Sequence, residues 1–291
     1  MRWRGREESE NVKDVRGMSG GGMVAGGGIG VLLLAFLAYV FGGGDAAQKV
    51  LENNKGRQQA GQQQKGGTGP IDDDAKKFIG VVLNDTEGVW QKLFRENGVQ
   101  YREPELIIFS GGVTSGCGKA SSAMGPFYCP ADKRVYIDPS FFADLAKRHD
   151  APGDFAQAFV IAHEVGHHIQ NLLGWNDDAN KARRSGNKQV ANRASVRLEL
   201  QADFLAGVWA HHAHKKWNIL EQGDLQEAMK AAIQIGDDTL QAQGTGRVIP
   251  ENFTHGSGDQ RQRWFMAGVK SGNFRAAQRL TDRNAIPYGE L

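Results

Sequence analysis

The sequence of 291 residues has little cysteine and no strong excess of charge of either sign. Lysine and arginine number 35 against 33 acidic residues, which gives a formal net charge of only +2. This near balance offers no electrostatic reason to expect nucleic acid or a strongly acidic partner. The chain is 40% hydrophobic and is long enough for one large domain or two small ones.

Only two cysteines are present, Cys117 and Cys129, and a segment rich in glycine, serine and alanine separates them. A pair this close together predicts a disulfide in an oxidising compartment. Two free thiols in a cytosolic protein are the alternative. A zinc site built from the pair fits less well, because the spacing matches no short cysteine knuckle.

Long hydrophobic runs are scarce, apart from the uncharged stretch at residues 22–42. About 20 apolar residues can cross a bilayer as a helix, so we predict a single transmembrane helix there. A cleaved signal peptide is the alternative. Residues 1–21 are charged and are expected to form an unstructured cytoplasmic tail. Basic residues before the span slightly outnumber those after it, which favours an N-terminus inside and a folded domain outside.

Glycine is abundant, by contrast, with 39 copies concentrated in the first 70 residues. Residues 43–70 are rich in glycine and glutamine and are predicted to be a flexible linker. Folded sequence is expected from residue 71, beginning with a helix to residue 97. Strands are predicted at 106–109 and 134–138, and helices follow at 139–149, 153–173, 188–216, 223–241 and 257–282. The expected fold class is α+β, with a small sheet before a helical body.

The strongest chemical signal is His163-Glu164-Val165-Gly166-His167. Residues four apart on a helix share a face, so both imidazoles can bind one zinc ion. Glu164 can then act on a water held at the metal. A catalytic zinc needs a third protein ligand, and no histidine follows at the short spacing that metzincins use.

Glu199 is the best candidate for the third ligand, because it lies on a later predicted helix that can pack against the first. Asp203 falls on the same face four residues on, where it can accept a hydrogen bond from His163. The flanks Leu198, Leu200 and Ala202 are apolar, so unpaired charge would be unfavourable here. A solvated helix face is the alternative for both acids.

The other histidines are weaker candidates. His168 points away from the face of His167 and is expected to be a structural or surface residue, not a ligand. His211, His212 and His214 would need a second metal ion to act as ligands. His255 stands at a predicted junction of loop and helix, where it can reach into a cleft or serve only as a capping or surface residue.

Six motifs carry a resemblance to a known family. They are Cys117-Gly118, Gly125-Pro-Phe-Tyr-Cys-Pro-Ala-Asp132, Val135-Tyr-Ile-Asp138, His163-Glu-Val-Gly-His-His168, Glu199-Leu-Gln-Ala-Asp203, and Thr254-His-Gly-Ser with Arg261. From residue 71 to the C-terminus the chain resembles the neutral zinc metallopeptidases of bacteria, single-span and envelope-facing members of the gluzincin-like zincins. More loosely, it is similar to HtpX-type membrane peptidases and to thermolysin.

The resemblance implies a zincin-like, mostly helical metallopeptidase domain at 71–291, facing the periplasm or the outside from the inner membrane. It implies one Zn²⁺ ion, a peptide or protein substrate, Glu164 as general base and His255 as the residue that stabilises the oxyanion. Val135 to Ile137 is expected either to bind substrate as an edge strand or to be internal. A non-catalytic, zinc-stabilised envelope scaffold is the alternative function, and a cytosolic enzyme would need both cysteines reduced. The sequence predicts no oligomeric state.

Overall fold

The computed structural model describes residues 1–17, 73–282 and 285–291, and it confirms the expected α+β class, mostly helical with two small sheets. Its strands are β1 (Val12–Asp14), β2 (Glu105–Ile108), β3 (Gly112–Ser115), β4 (Gly118–Ser121), β5 (Phe127–Cys129) and β6 (Arg134–Ile137). Its longer helices are α1 (Asp73–Glu96), α2 (Ser140–Arg148), α3 (Asp154–Leu172), α4 (Asp177–Arg184), α5 (Lys188–Trp217), α6 (Asp224–Gln234), α7 (Asp237–Thr245) and α8 (Gly258–Ser271). The short helix α9 (Gln278–Thr281) follows them.

The larger sheet has the strand order β1-β2-β6-β5. The first three strands run parallel, and β5 pairs antiparallel with β6. Leu106, Ile107 and Ile108 of β2 are all buried, as expected for a parallel strand that is covered on both faces. Because β6 lies between β2 and β5, Val135 to Ile137 is internal to the sheet, which is the second of the two predicted alternatives. The edge strand on that side is β5.

Residues 1–17, here called the N-terminal segment, fold onto the rest of the protein, so the prediction that they are unstructured is wrong. β1 pairs with β2 and places Lys13 opposite Ile107. Arg6 donates hydrogen bonds to both carboxylate oxygens of Asp85, which is fully buried in α1. Ser9 donates a further hydrogen bond to Glu87 on the same helix. The folded body therefore includes residues that precede the predicted boundary at 71.

No helix among the described residues is long and apolar enough to cross a membrane. The predicted span at 22–42 and the predicted linker at 43–70 lie outside the residues that the structure describes. Both stay predictions.

The helical core is centred on α3, which packs against α5 and α6, while α5 packs against α8. Gly166 allows a close approach of α3 to α5, because a Cβ atom at this position would lie 3.0 Å from the Ala202 carbonyl oxygen. The ring of Phe155 on α3 stacks on Trp209 of α5, with 6.0 Å between centroids. These contacts fix α5 beside the histidines of α3.

Two predicted helices are shorter than expected. The helix predicted at 223–241 is divided into α6 and α7 at Gly236, where a Cβ atom would lie 2.3 Å from the backbone nitrogen of Gly258. The helix predicted at 257–282 ends at Ser271, because Gly272 takes the left-handed conformation (φ 59°) that commonly ends helices. The first break places Asp237 at the start of a new helix, beside the loop that carries His255.

Candidate metal centre

The two histidines of the central motif lie one turn apart on α3, and their ring centroids are 4.7 Å apart. His163 is 6% exposed, and the neighbouring residues before it on α3 are apolar and buried. The helix therefore holds both rings in a protected position against the core. Residues four apart on one face give this arrangement, as the sequence predicted.

Glu199 completes a group of three possible metal ligands from the adjacent helix α5. Its Oε2 atom lies 3.3 Å from His163 Nε2 and 3.6 Å from His167 Nε2. Ligands at 2.0–2.1 Å from a tetrahedral zinc stand about 3.3–3.4 Å apart. The three side chains therefore fit one zinc ion, and all their ligand atoms lie within 4.8 Å of one another. With three protein donors, a fourth position is left for water or substrate.

The carboxylate of Asp203 is hydrogen-bonded to His163. His163 Nδ1 donates a hydrogen bond to Asp203 Oδ1 at 2.7 Å, which leaves Nε2 available for a metal. Asp203 is fully buried, and Arg261 from α8 binds it through Nε and Nη2 at 2.8 and 2.9 Å. The guanidinium thus neutralises a carboxylate whose burial without a charged partner would be strongly destabilising.

An amide, and not a carboxylate, orients His167. His167 Nδ1 donates to Gln170 Oε1 at 2.8 Å, one turn further along α3. The Gln170 Nε2 group donates in turn to the Leu198 carbonyl at 2.6 Å and to Gln201 Oε1 at 3.0 Å. Because both amide ends are bound, Gln170 holds the ring of His167 in a fixed orientation.

The electrostatics of the site favour a positive charge between the carboxylates of Asp203 and Glu199. Burial lowers the pKa of His163, but the adjacent Asp203 carboxylate outweighs burial and raises this pKa to about 10. Burial raises the pKa of Glu199, but the two histidines outweigh it and hold this pKa well below its usual value. The site therefore accepts a cation, either a proton or a metal ion.

A cleft of about 400 Å³ opens in front of these residues. Glu164 lines it beside His163 and is 8% exposed. Strand β5 contributes Phe127 and Tyr128 to the same cleft. A carboxylate, the group of three possible metal ligands and a strand at the edge of the sheet therefore line one cavity.

His255 also lines this cleft, and its side chain is 36% exposed. Its Nδ1 donates to Asp237 Oδ1 at 3.1 Å. The other oxygen of Asp237 accepts the backbone N–H groups of Thr254, His255 and Gly256 at 2.6, 2.6 and 3.1 Å. Burial lowers the pKa of His255, but Asp237 outweighs this effect and raises it. Asp237 thus fixes both the backbone of the loop at residues 254–256 and the orientation of the His255 ring.

His168 points away from the metal group, as predicted. It is fully buried and its Nε2 donates to the Arg102 carbonyl at 2.6 Å. Its Nδ1 accepts from the hydroxyl of Tyr128 at 3.0 Å, and that hydroxyl accepts from Asn171 at 3.0 Å. Burial lowers the pKa of His168 to about 4, which keeps the ring neutral. The histidine therefore ties α3 to the edge strand β5.

The remaining histidine cluster does not form a ligand group among the described residues. His211 Nδ1 binds the Val269 carbonyl at 2.8 Å, and His212 Nε2 binds the Gly272 carbonyl at 2.7 Å. His214 Nδ1 accepts from the backbone of Leu220 at 3.2 Å. Each ring thus serves a separate backbone contact.

The disulfide between Cys117 and Cys129 is confirmed, with 5.8 Å between the Cα atoms. It joins the loop between β3 and β4 to the end of β5. Asp132 supports the same loop by accepting the backbone N–H of Gly116 at 2.6 Å. The edge strand of the cleft is therefore held by a covalent link.

Sequence reasoning missed two residues of the centre, Gln170 and Asp237, and gave Arg261 no role beyond its motif. Gln170 lies three residues after His167 on the same helical face, and this spacing is a signal that could have identified it. Asp237 and Arg261 come from distant segments, so only the tertiary packing brings them to the site.

The fold and the site define a mostly helical α+β protein with a metal-ligand group of two histidines and one glutamate. A family model described as "Putative neutral zinc metallopeptidase" matches residues 1–279, and the chain belongs to this family. Membership implies zinc as the metal and supports a peptidase. The matched range includes the N-terminal segment.

Two relatives illustrate the family. The chain is 45% identical over 281 residues to "Uncharacterized protein YpfJ" of Escherichia coli (strain K12), which covers 94% of this chain and 96% of the relative. It is 42% identical over 214 residues to "Uncharacterized protein Rv2575" of Mycobacterium tuberculosis (strain ATCC 25618 / H37Rv), which covers 69% and 70% of the two chains. No solved structure matches the chain.

Proposed function

We propose that this protein is a zinc-dependent endopeptidase in which His163, His167 and Glu199 hold a single zinc ion and Glu164 acts as general base. The observation that carries the proposal is the spacing of the three ligand atoms, 3.3 and 3.6 Å from Glu199 Oε2 to the two Nε2 atoms. Glu164 lines the same cleft directly beside them.

Zinc, when bound, lowers the pKa of a coordinated water towards about 7 and polarises a carbonyl group. Glu164 is the carboxylate in this cleft that is neither a proposed ligand nor hydrogen-bonded to another described residue. It accepts the proton of the attacking water and delivers it to the leaving amine. Burial of the site protects this transfer from bulk solvent.

His255 stabilises the negative oxygen of the tetrahedral intermediate in this proposal. Asp237 accepts the Nδ1 proton of His255, so the ring presents its other nitrogen as a donor. The raised pKa of His255 keeps the ring cationic to higher pH. Such a donor contributes roughly 3–4 kcal/mol to transition-state stabilisation in other enzymes.

The edge strand β5 gives the cleft a means to bind an extended chain. Its outer edge is unpaired among the described strands, and Phe127 and Tyr128 line the cleft. A peptide can add to such an edge through main-chain hydrogen bonds, while side chains enter neighbouring pockets. A peptide or protein substrate therefore fits the site better than a compact small molecule.

An oxidising compartment outside the cytoplasm is our proposal for the location of the folded body. The disulfide between Cys117 and Cys129 supports it, since such links persist in the periplasm and beyond. A thiol count on denatured protein isolated from its native host tests it. Two free thiols would instead support a cytosolic enzyme.

The variant Glu164→Gln in the full chain tests the catalytic proposal. We expect zinc to remain bound at one equivalent, while hydrolysis of an unfolded protein substrate falls by at least about 100-fold. The matched control is Glu251→Gln, which changes an exposed acid and leaves hydrolysis intact. Retained activity in Glu164→Gln would contradict the assigned base. Zinc binding without chelator-sensitive cleavage by the parent would favour the non-catalytic scaffold.

A further inference from the structure

The lining of the candidate cleft changes from apolar to polar side chains along the direction of α3. Phe159 and Val160 line it one turn before His163. Beyond the end of α3, the lining residues are Asn176, Asn180 and Arg183, which precede or belong to α4. A peptide lying across the ligand group would therefore have apolar surface on one side of the scissile bond and polar surface on the other.

Arg183, an exposed residue at the polar end of the cleft, makes two hydrogen bonds to neutral side chains. Its Nη1 donates to Asn180 Oδ1 at 3.3 Å and its Nη2 donates to Ser195 Oγ at 3.2 Å. Both acceptors are neutral, and no carboxylate among the described residues lies within ion-pair distance of the guanidinium. These two bonds use only part of the five donors of an arginine.

The other cationic side chains that line the cleft already have carboxylate partners. Arg261 pairs with Asp203, and His255 pairs with Asp237. Glu199 lies against the two histidines of α3. Arg183 is thus the cation of this lining that still has donors for an external anion. The fork of an arginine matches a carboxylate in geometry as well as in charge.

We propose that Arg183 determines substrate specificity by binding a carboxylate of the peptide on the α4 side of the scissile bond. This inference rests on the proposed peptidase function and deepens it. The shared chemistry is a carboxylate, supplied either by an acidic side chain or by the C-terminus of the substrate. Phe159 and Val160 take an apolar side chain at the opposite end.

Three internally quenched peptides of one length test the inference on the zinc-loaded full chain. The first has one glutamate and an amidated C-terminus, the second has glutamine there and a free C-terminus, and the third has neither carboxylate. We expect kcat/KM to be at least about tenfold higher for the first or the second than for the third. If kcat/KM rises for the first peptide, the carboxylate is that of an acidic side chain. If it rises for the second, the carboxylate is the C-terminus.

Charge reversal at Arg183 provides the decisive comparison. Arg183→Glu should remove the preference and favour a peptide with lysine in place of the glutamate. The matched control is Arg184→Glu, which reverses the neighbouring exposed charge that does not line the cleft. The control should keep the preference of the parent. Equal cleavage of all three peptides by the parent, or an equal effect of both variants, would overturn the proposal.

The same peptides separate this inference from the proposed function. If the parent shows no chelator-sensitive cleavage, the peptidase proposal fails, but binding can still be measured. Fluorescence anisotropy of labelled peptides on zinc-loaded Glu164→Gln protein, with and without Arg183→Glu, reports recognition alone. Tighter binding of a carboxylate peptide, lost in the double variant, supports the role of Arg183. Equal binding of every peptide refutes it.

Discussion

Arg261 and Asp203 form a buried two-point ion pair directly behind the ligand group, with Nε and Nη2 of the arginine 2.8 and 2.9 Å from the two carboxylate oxygens. The same carboxylate accepts the Nδ1 proton of His163. Three helices, α3, α5 and α8, thus meet in one charged triad. The triad fixes the tautomer of a proposed metal ligand, His163, and the position of α8 at the same time.

Asp203→Asn should weaken zinc binding by about 10–100-fold, because the orienting carboxylate makes the histidine a stronger ligand. Competition with a chromophoric chelator measures the change. Asp259→Asn, an exposed acid on α8, is the control and should leave zinc affinity unchanged. The double variant Asp203→Asn with Arg261→Gln separates ligand orientation from the instability of an unpaired buried arginine. Unchanged zinc affinity in a folded Asp203→Asn protein would contradict the role of the triad.

Asp237→Asn should shift the alkaline limit of activity to lower pH. The Asp237 carboxylate raises the pKa of His255 above its usual value, despite the opposing effect of burial. Without that charge, the His255 cation is lost at a lower pH as the pH rises. The profile of kcat/KM against pH measures this shift, and Asp238→Asn, which alters the neighbouring cap of Gly258, is the control. An unshifted alkaline limb would show that cationic His255 is not required.

His168→Gln should reduce the loss of stability in acid. Burial lowers the pKa of His168 from 6.5 to about 4. Between these values the unfolded chain binds more protons than the folded protein, so the free energy of unfolding falls as the pH falls. The full contribution is on the order of 3 kcal/mol, and glutamine cannot be protonated. Urea unfolding of both metal-free proteins at several pH values measures the difference, and parallel pH profiles would contradict it.

Arg6→Gln should lower the free energy of unfolding by roughly 3–5 kcal/mol, because it leaves a buried carboxylate without its partner. Asp85 is fully buried, and burial raises its pKa to about 6 even with Arg6 present. Arg4→Gln is the control, since Arg4 and Asp74 form an exposed pair of little energetic value. Urea unfolding of the full chain measures both. Equal stability of the two variants would contradict an integral N-terminal segment.

Much of the metal centre could be predicted from the sequence, because local spacing determines it. His163 and His167 share a helical face by virtue of their separation, and the same rule relates Glu199 to Asp203. The helix of 188–217 was predicted with nearly its observed bounds for the same reason. The apolar flanks of Glu199 indicated burial, and the structure brings the glutamate to the two histidines.

The remaining features depend on contacts between distant segments. Asp237 reaches His255 only because Gly236 interrupts a helical pattern where the chain packs against Gly258. Periodicity alone does not reveal such a break. Similarly, β1 has three residues with one apolar side chain among them, and its strand conformation comes from pairing with β2. A charged sequence gives no local signal for that pairing.

The pairing of β1 with β2 also constrains how the chain can be arranged across a bilayer. β1 belongs to residues 1–17, and β2 belongs to the body that begins at residue 73. Two paired strands must be on the same side of a membrane. An arrangement with the N-terminus inside and the body outside would leave β1 out of the sheet and Asp85 without Arg6. In the folded protein, therefore, the first 17 residues and the metal centre share one side of any membrane.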